Sequence, residues 1–220
     1  ERVGLALRWL DYVVRGIDTG IADEPPIKVF VMGVNEWRSE REWPLPGTKF
    51  TPFFFHGDGS RHGTLSPEAP GDEPPNGYAY DPEDPVPTLG GNHSGPQDHP
   101  DVIRVGVLDQ RPNWSRRDVL VFETPPLAET VEVIGPVEAK LYAASSAPDT
   151  DFIVRLIDVE PDGTAYNITE GIIRARFRES IFKEPRLLEP GRVYEYDIEL
   201  LPTANTFQRG HRICVHVTSS

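Results

Sequence analysis

Apolar residues recur at helical spacing in one stretch of the chain only. Val3, Leu7, Leu10 and Val14 fall on one stripe with Leu5, Trp9 and Val13 beside them, predicting an amphipathic helix over residues 1–15 with Gly16 as its C-cap. That stripe is wide, so it needs a partner. A linker from Asp18 to Pro26 then leads into the apolar run Ile27-Lys28-Val29-Phe30-Val31-Met32. From there the pattern becomes short β-rich runs between turn residues. Strands are expected over Lys49 to Phe55, Gly77 to Tyr80, Val119 to Glu123, Val131 to Ala143, Asp151 to Asp158, Ala165 to Ile168, Ile172 to Arg178, Arg192 to Glu199 and Arg212 to Thr218. In the two-residue alternation of Phe152 to Val159, Phe152, Val154, Leu156 and Asp158 share one face, and Ile153, Arg155, Ile157 and Val159 share the other. Pro161-Asp162-Gly163 ends that run as a hairpin turn, because proline presets φ, Asp caps and glycine accepts positive φ.

The 23 prolines and 19 glycines punctuate an all-β chain. They concentrate between Pro67 and Gln110, where Asp81-Pro82-Glu83-Asp84-Pro85-Val86-Pro87 reads as an extended surface loop, since proline donates no ladder hydrogen bond. Loops of that length in compact domains are usually functional or disordered. By contrast, Asn35 to Pro44, which carries Trp37 and Trp43 around Arg38, Glu40, Arg41 and Glu42, reads as an aromatic-rich loop at an interface or ligand surface.

With 220 residues the chain suits one large domain with an appendage. Its 35 acidic against 22 basic residues give a net charge of -13, which repels phosphate backbones and argues against nucleic acid. No apolar run approaches the roughly 20 residues that span a bilayer, so a soluble, non-membrane chain is expected. The single Cys214 permits no intrachain disulfide. No signal-peptide pattern stands at the start, which begins with Glu1 and reads as a processed or fragmentary end; the compartment stays open, with the cytoplasm as the default.

Candidate chemistry is sparse. A nucleophile elbow Gly-x-Ser-x-Gly is absent, and Gly57-Asp58-Gly59-Ser60-Arg61-His62-Gly63 and Asn92-His93-Ser94-Gly95 have the wrong spacing and no following helix. His93, Asp98, His99 and Asp101 offer metal-ligand types in one loop, but without the paired spacing of zinc sites, so a solvated loop is the preferred reading. Calcium at Asp149 and Asp151 lacks the six to eight oxygens that ion takes. Gly210-His211-Arg212 before a strand reads as structural, hydrogen-bonding a neighbouring loop. No catalytic residue, metal or cofactor is assigned to this chain.

Several strings, in order, resemble the C-terminal part of the cocaine-esterase/X-Pro dipeptidyl-peptidase group of serine hydrolases. They run from Val31-Met32-Gly33, Trp37-Arg38 and Trp43-Pro44 through Tyr80-Asp81-Pro82, Pro85-Val86-Pro87, Gly90-Gly91, Asp109-Gln110-Arg111 and Arg117-Asp118-Val119-Leu120. They continue with Gly135-Pro136-Val137, Asp149-Thr150-Asp151-Phe152, Leu156-Ile157-Asp158-Val159, Pro161-Asp162-Gly163, Gly171-Ile172-Ile173-Arg174-Ala175-Arg176 and Gly210-His211-Arg212. Each string is weak, but their order is specific.

The resemblance implies an all-β, galactose-binding-like jelly-roll sandwich over residues 27–220. It also implies that residues 1–26 are the last helix and linker of an α/β-hydrolase domain, and that family sequences continue past Ser220. That domain is the expected partner, with homo-oligomerisation as a second option. The Ser-His-Asp triad of an acyl-serine mechanism would lie upstream. The chain is then a non-catalytic domain that shapes the cleft, with Gly90, Gly91, Asn92 and His93 on the cleft wall and Trp37, Arg38, Trp43 and His211 at the domain interface. The rival reading is a carbohydrate-binding jelly-roll module using Trp37, Trp43 or Trp114 to stack on sugar rings, and a metal-dependent hydrolase ranks behind it.

Overall fold

A computed structural model describes residues 2–92 and 104–220. Helix α1 covers Arg2–Arg15, and Gly16 follows it at φ 65, the left-handed cap position expected from the sequence. The helix packs on none of the strands to any extent. It is tethered instead to its own linker, where Arg8 Nη2 donates to the Thr19 carbonyl at 3.1 Å and to Glu24 Oε1 at 2.7 Å. Val3, Leu7, Trp9, Leu10, Val13 and Val14 are each more than half exposed.

Strands β1 (Ile27–Val31) and β2 (Glu36–Glu40) form a hairpin that pairs Phe30 with Trp37. The loop expected from Asn35 onward is therefore strand over its first half, because Asn35 takes φ 58 and turns the chain back. Beyond β1, Met32 exchanges backbone bonds with Ala204 and Thr206, 2.9 Å each, docking the hairpin on β9 (Tyr194–Phe207). Gly33 makes that approach feasible, since a Cβ there would lie 2.2 Å from the Thr206 carbonyl oxygen.

The body is a sandwich. One layer is a six-stranded sheet in the order β3 (Phe54–His56), β4 (His62–Ser66), β5 (Leu120–Glu123), β10 (Arg212–Thr218), β7 (Asp151–Val159), β8 (Ala165–Arg174). Facing it is the long ladder of β6 (Val131–Ala143) with β9. Between the layers lies the main core, where Phe152, Val154 and Leu156 of β7 meet Phe122, Tyr196, Ile198, Phe207 and Val215. The same layers enclose an open groove of about 2120 Å³ that reaches Phe55, Phe122, Phe152, Leu156 and Phe207.

The other face of the large sheet is also buried. Val119, Val121, Ile157, Val159, Ala165 and Cys214 form a second cluster there with Val86 and Trp114. Burial on both faces accounts for the nearly continuous apolar runs of β5, β7 and β10. The Pro-rich segment supplies the cover: Val86 is 4% exposed and Gln110 fully buried, so what reads as a surface loop is partly a lid on the outer face. It ends in a short helix α2 (Arg111–Trp114).

Other strand expectations shift for identifiable reasons. Gly77 to Tyr80 is not a strand, and only Phe54 and Phe55 of Lys49 to Phe55 lie within one. The runs from Ala165 and Ile172 join into β8 because Thr169, Glu170 and Gly171 pair with Leu156, Arg155 and Val154, with a bulge at Ile168, and the strand stops at Arg174, where Ala175–Phe177 winds into a 3-10 turn. Strand β9 continues past Glu199 because Pro202 falls at a register shift opposite Gly135 and Val137, where a missing N–H removes no ladder bond. The Asp162-Gly163 hairpin forms as expected, with Gly163 at φ 89 and Thr164 N–H donating to Asp162 Oδ1 at 2.8 Å.

Candidate functional site

Of the expected cleft-wall residues, Gly90, Gly91 and Asn92 form a tight corner above β8, and His93 lies outside the described residues. Gly91 and Gly106 exchange backbone hydrogen bonds of 2.8 and 2.9 Å, joining the two sides of the segment between them. The corner tolerates no side chain. At φ 69 Gly90 would place a Cβ 2.3 Å from the Gly106 carbonyl oxygen, and at φ 102 Gly91 would place one 2.7 Å from Glu170 Oε1.

Under the corner sits a buried polar frame that sequence reasoning missed. Asn167 accepts the Leu108 N–H at 2.7 Å through Oδ1 and donates to the Gly106 carbonyl at 3.2 Å through Nδ2. Gln110 Nε2 donates to the Leu89 carbonyl at 2.8 Å and to the Leu108 carbonyl at 3.1 Å. Arg155, 4% exposed, donates from Nε to Glu170 Oε2 at 2.8 Å and from Nη1 toward Gln110 Oε1 at 3.5 Å. Beside them opens a small cavity of about 430 Å³ lined by Asn92, Ile153, Arg155, Glu170, Ile172 and Leu201. The frame holds backbone; it presents no nucleophile.

Histidine chemistry points the same way. His216, paired across the ladder with Arg155, is 1% exposed and stands edge-on to Trp114 with ring centroids 5.3 Å apart. Burial, reinforced by the Arg155 and His62 charges, pushes its pKa down to about 3, so the ring is neutral near pH 7. His211 Nδ1 is 2.9 Å from Asp158 Oδ1, so the structural hydrogen bond expected of it goes to strand β7 and not to a neighbouring loop. Burial raises the Asp158 carboxyl above the ordinary range, while the His211 hydrogen bond opposes that shift.

The remaining expected contacts lie elsewhere. Trp37, 61% exposed, meets Phe30 edge-on at 5.4 Å with Lys28 Nζ 5.2 Å from its ring, and Arg38 bridges to Glu132 at 2.6 Å. Trp43 is 39% exposed. The structure thus groups Trp37 and Arg38 on one hairpin, while His211 belongs to the turn before β10. Trp114, a candidate for sugar stacking, is turned inward on His216 instead.

Neither discarded chemistry gains support. Ser60 Oγ donates to the His62 carbonyl at 2.8 Å inside the β3–β4 turn, so it does not address an imidazole. Asp149 and Asp151 bind arginines: Arg174 reaches both carboxylates at 2.6 Å, and Arg176 Nε reaches Asp149 at 2.5 Å. Burial pushes the Asp149 carboxyl up, but Arg176 and Arg174 hold it below the usual range, a neutralised cluster and not a vacant cation site. The loop candidates Asp98, His99 and Asp101 lie outside the described residues, among which no cluster of three metal-ligating side chains occurs.

Comparison with known proteins places this arrangement. The chain is 45% identical to cocaine esterase of Rhodococcus sp. (strain MB1 Bresler) over 220 residues, covering 96% of this chain and 37% of that protein. Its fold superposes on an aminopeptidase from a marine sediment Thaumarchaeota archaeon with a TM-score of 0.82 and 32% identity, over 100% of this chain and 36% of that one. An α-amino-acid ester hydrolase gives a TM-score of 0.77 at 29% identity, over 97% and 36%. The chain therefore spans little more than a third of the length of these relatives. Since residues 19–220 match the family of X-Pro dipeptidyl-peptidase C-terminal non-catalytic domains, the chain belongs to that family.

Proposed function

We propose that this chain is the accessory sandwich of a larger serine ester or amide hydrolase, in which it docks on an α/β-hydrolase domain and completes the wall of its cleft. The observation that carries the reading is α1, an amphipathic helix whose apolar stripe is solvated and which packs on no strand of the sandwich. A stripe of that size is stable in water only when covered. Residues 1–26 then belong structurally to the hydrolase domain, and residues 27–220 form the appended domain. The names of the relatives, an esterase, an aminopeptidase and an ester hydrolase, support acyl transfer as the chemistry of the whole.

In that protein a serine outside this chain attacks the ester or amide carbonyl, a histidine–aspartate pair moves its proton, and backbone amides hold the oxyanion. This chain contributes position. The frame of Arg155, Glu170, Gln110 and Asn167 fixes the Gly90–Gly91–Asn92 corner, which we place on the cleft wall. Hydrolysis of a nitrophenyl ester or an X-Pro nitroanilide by the full-length protein and by residues 1–220 separately tests this. Turnover by the full-length protein alone is expected; robust turnover by residues 1–220 overturns the reading.

A further inference from the structure

His56 closes β3 where the chain turns outward. Both ring nitrogens face acceptors on the segment 67–77: Nδ1 lies 2.7 Å from Glu73 Oε1 and Nε2 lies 2.9 Å from the Glu68 carbonyl. Neither acceptor carries a proton near neutral pH, so both nitrogens must donate, which only the imidazolium does. Glu73 is fixed from a second side, its Oε2 accepting the Gly57 N–H at 2.9 Å. The charged groups facing the ring are the carboxylates of Glu73 and Glu68, the latter also bound by Ser66; across the ladder stands uncharged Thr64.

The held segment has a distinct position in the fold. It runs directly into Tyr78, which lines the inter-sheet groove and whose hydroxyl is 2.8 Å from Ser219 Oγ just beyond β10, and then into the outer-face lid at Val86. We infer that His56 is a pH-sensitive clasp: as the imidazolium it pins residues 67–73 to β3, and as the neutral ring it loosens them while Asn76, held on the Ser60 carbonyl, Tyr78 and Val86 remain anchored. A neutral imidazole has one N–H for two acceptors, so one nitrogen lone pair then opposes an oxygen.

The Glu73 hydrogen bond and the Glu68 carbonyl raise the His56 pKa above its ordinary value. A group so raised contributes its stabilisation fully below the unfolded value of about 6.5 and loses it as pH climbs through the folded pKa. The clasp is thus closed in mild acid and open in mild alkali.

Amide hydrogen exchange of the full-length protein between pH 5.5 and 9, expressed as protection relative to intrinsic rates, tests the clasp together with an NMR titration of the His56 ring. The amides of residues 68–73 are expected to lose about tenfold protection across the ring's transition, with Asn76 onward unchanged. Glu73→Gln keeps an acceptor but removes the charge, and should move both transitions to lower pH together. Protection that stays constant over this range, or a ring that titrates below the ordinary histidine value, overturns the proposal.

Discussion

Arg155 and Glu170 face each other across the β7–β8 ladder, Nε to Oε2 at 2.8 Å, with the arginine side chain only 5% exposed and the glutamate 28%. Removing the carboxylate leaves a buried guanidinium without its partner charge. Glu170→Ala should therefore lower unfolding free energy by about 2 kcal/mol, less than a fully buried pair would lose because Glu170 is partly solvated. Urea denaturation at pH 7 measures it. A loss under about 0.5 kcal/mol would mean the pair is not holding the corner.

Two glycines in close approach at that corner should respond unequally. Gly90 and Gly106 both have positive φ, but a Cβ on Gly90 meets the Gly106 carbonyl at 2.3 Å, whereas one on Gly106 meets nothing within 4 Å. Gly106→Ala then carries only the backbone strain of about 1–2 kcal/mol, and Gly90→Ala adds the collision to it. Thermal melts of the two variants side by side should rank Gly90→Ala as clearly the less stable.

His216 should sensitise the fold to acid. Its folded pKa of about 3 lies below the unfolded value near 6.5, so the unfolded chain binds the extra proton first and stability falls as pH drops below about 6.5. The slope attributable to this one ring is about 1.4 kcal/mol per pH unit. Between pH 7 and pH 5, His216→Phe should lose about 2 kcal/mol less than the native chain in urea melts. Parallel pH profiles would remove the histidine from the account.

On α1, Trp9→Ser with Leu10→Ser should have opposite effects in two settings. Both side chains are about half exposed in this chain, 53% and 51%, so the double variant of residues 1–220 should self-associate less and bind less of an apolar dye. In the full-length protein the same changes should lower the melting temperature if a hydrolase domain covers the stripe as proposed. Equal behaviour in both settings would dissociate the helix from the hydrolase domain.

Much of this was legible where local pattern and tertiary demand agree. Val131 to Ala143 alternates and is bounded by turns, and it is strand β6 to the residue. The Asp162-Gly163 hairpin carries its own turn chemistry. Strand β2 escaped notice because Trp37, Arg38 and Ser39 gain their order from pairing with β1 and not from burial of one face. Strand β8 looked broken at Glu170-Gly171, yet Gly171 is there to admit the Glu199 backbone, whose carbonyl oxygen would lie 2.3 Å from a Cβ. The frame under the candidate site was the least legible part. Gln110, Arg155 and Asn167 are polar residues whose burial depends on partners 45 and 57 positions away in the chain, and no local pattern announces such partners.

The backbone bonds between Gly91 and Gly106 bring two points of the chain together on a footing owned by β7 and β8. The pair therefore acts as a rivet: a push on residues 89–91 or 106–108 is taken up by the sheet and not passed along the chain.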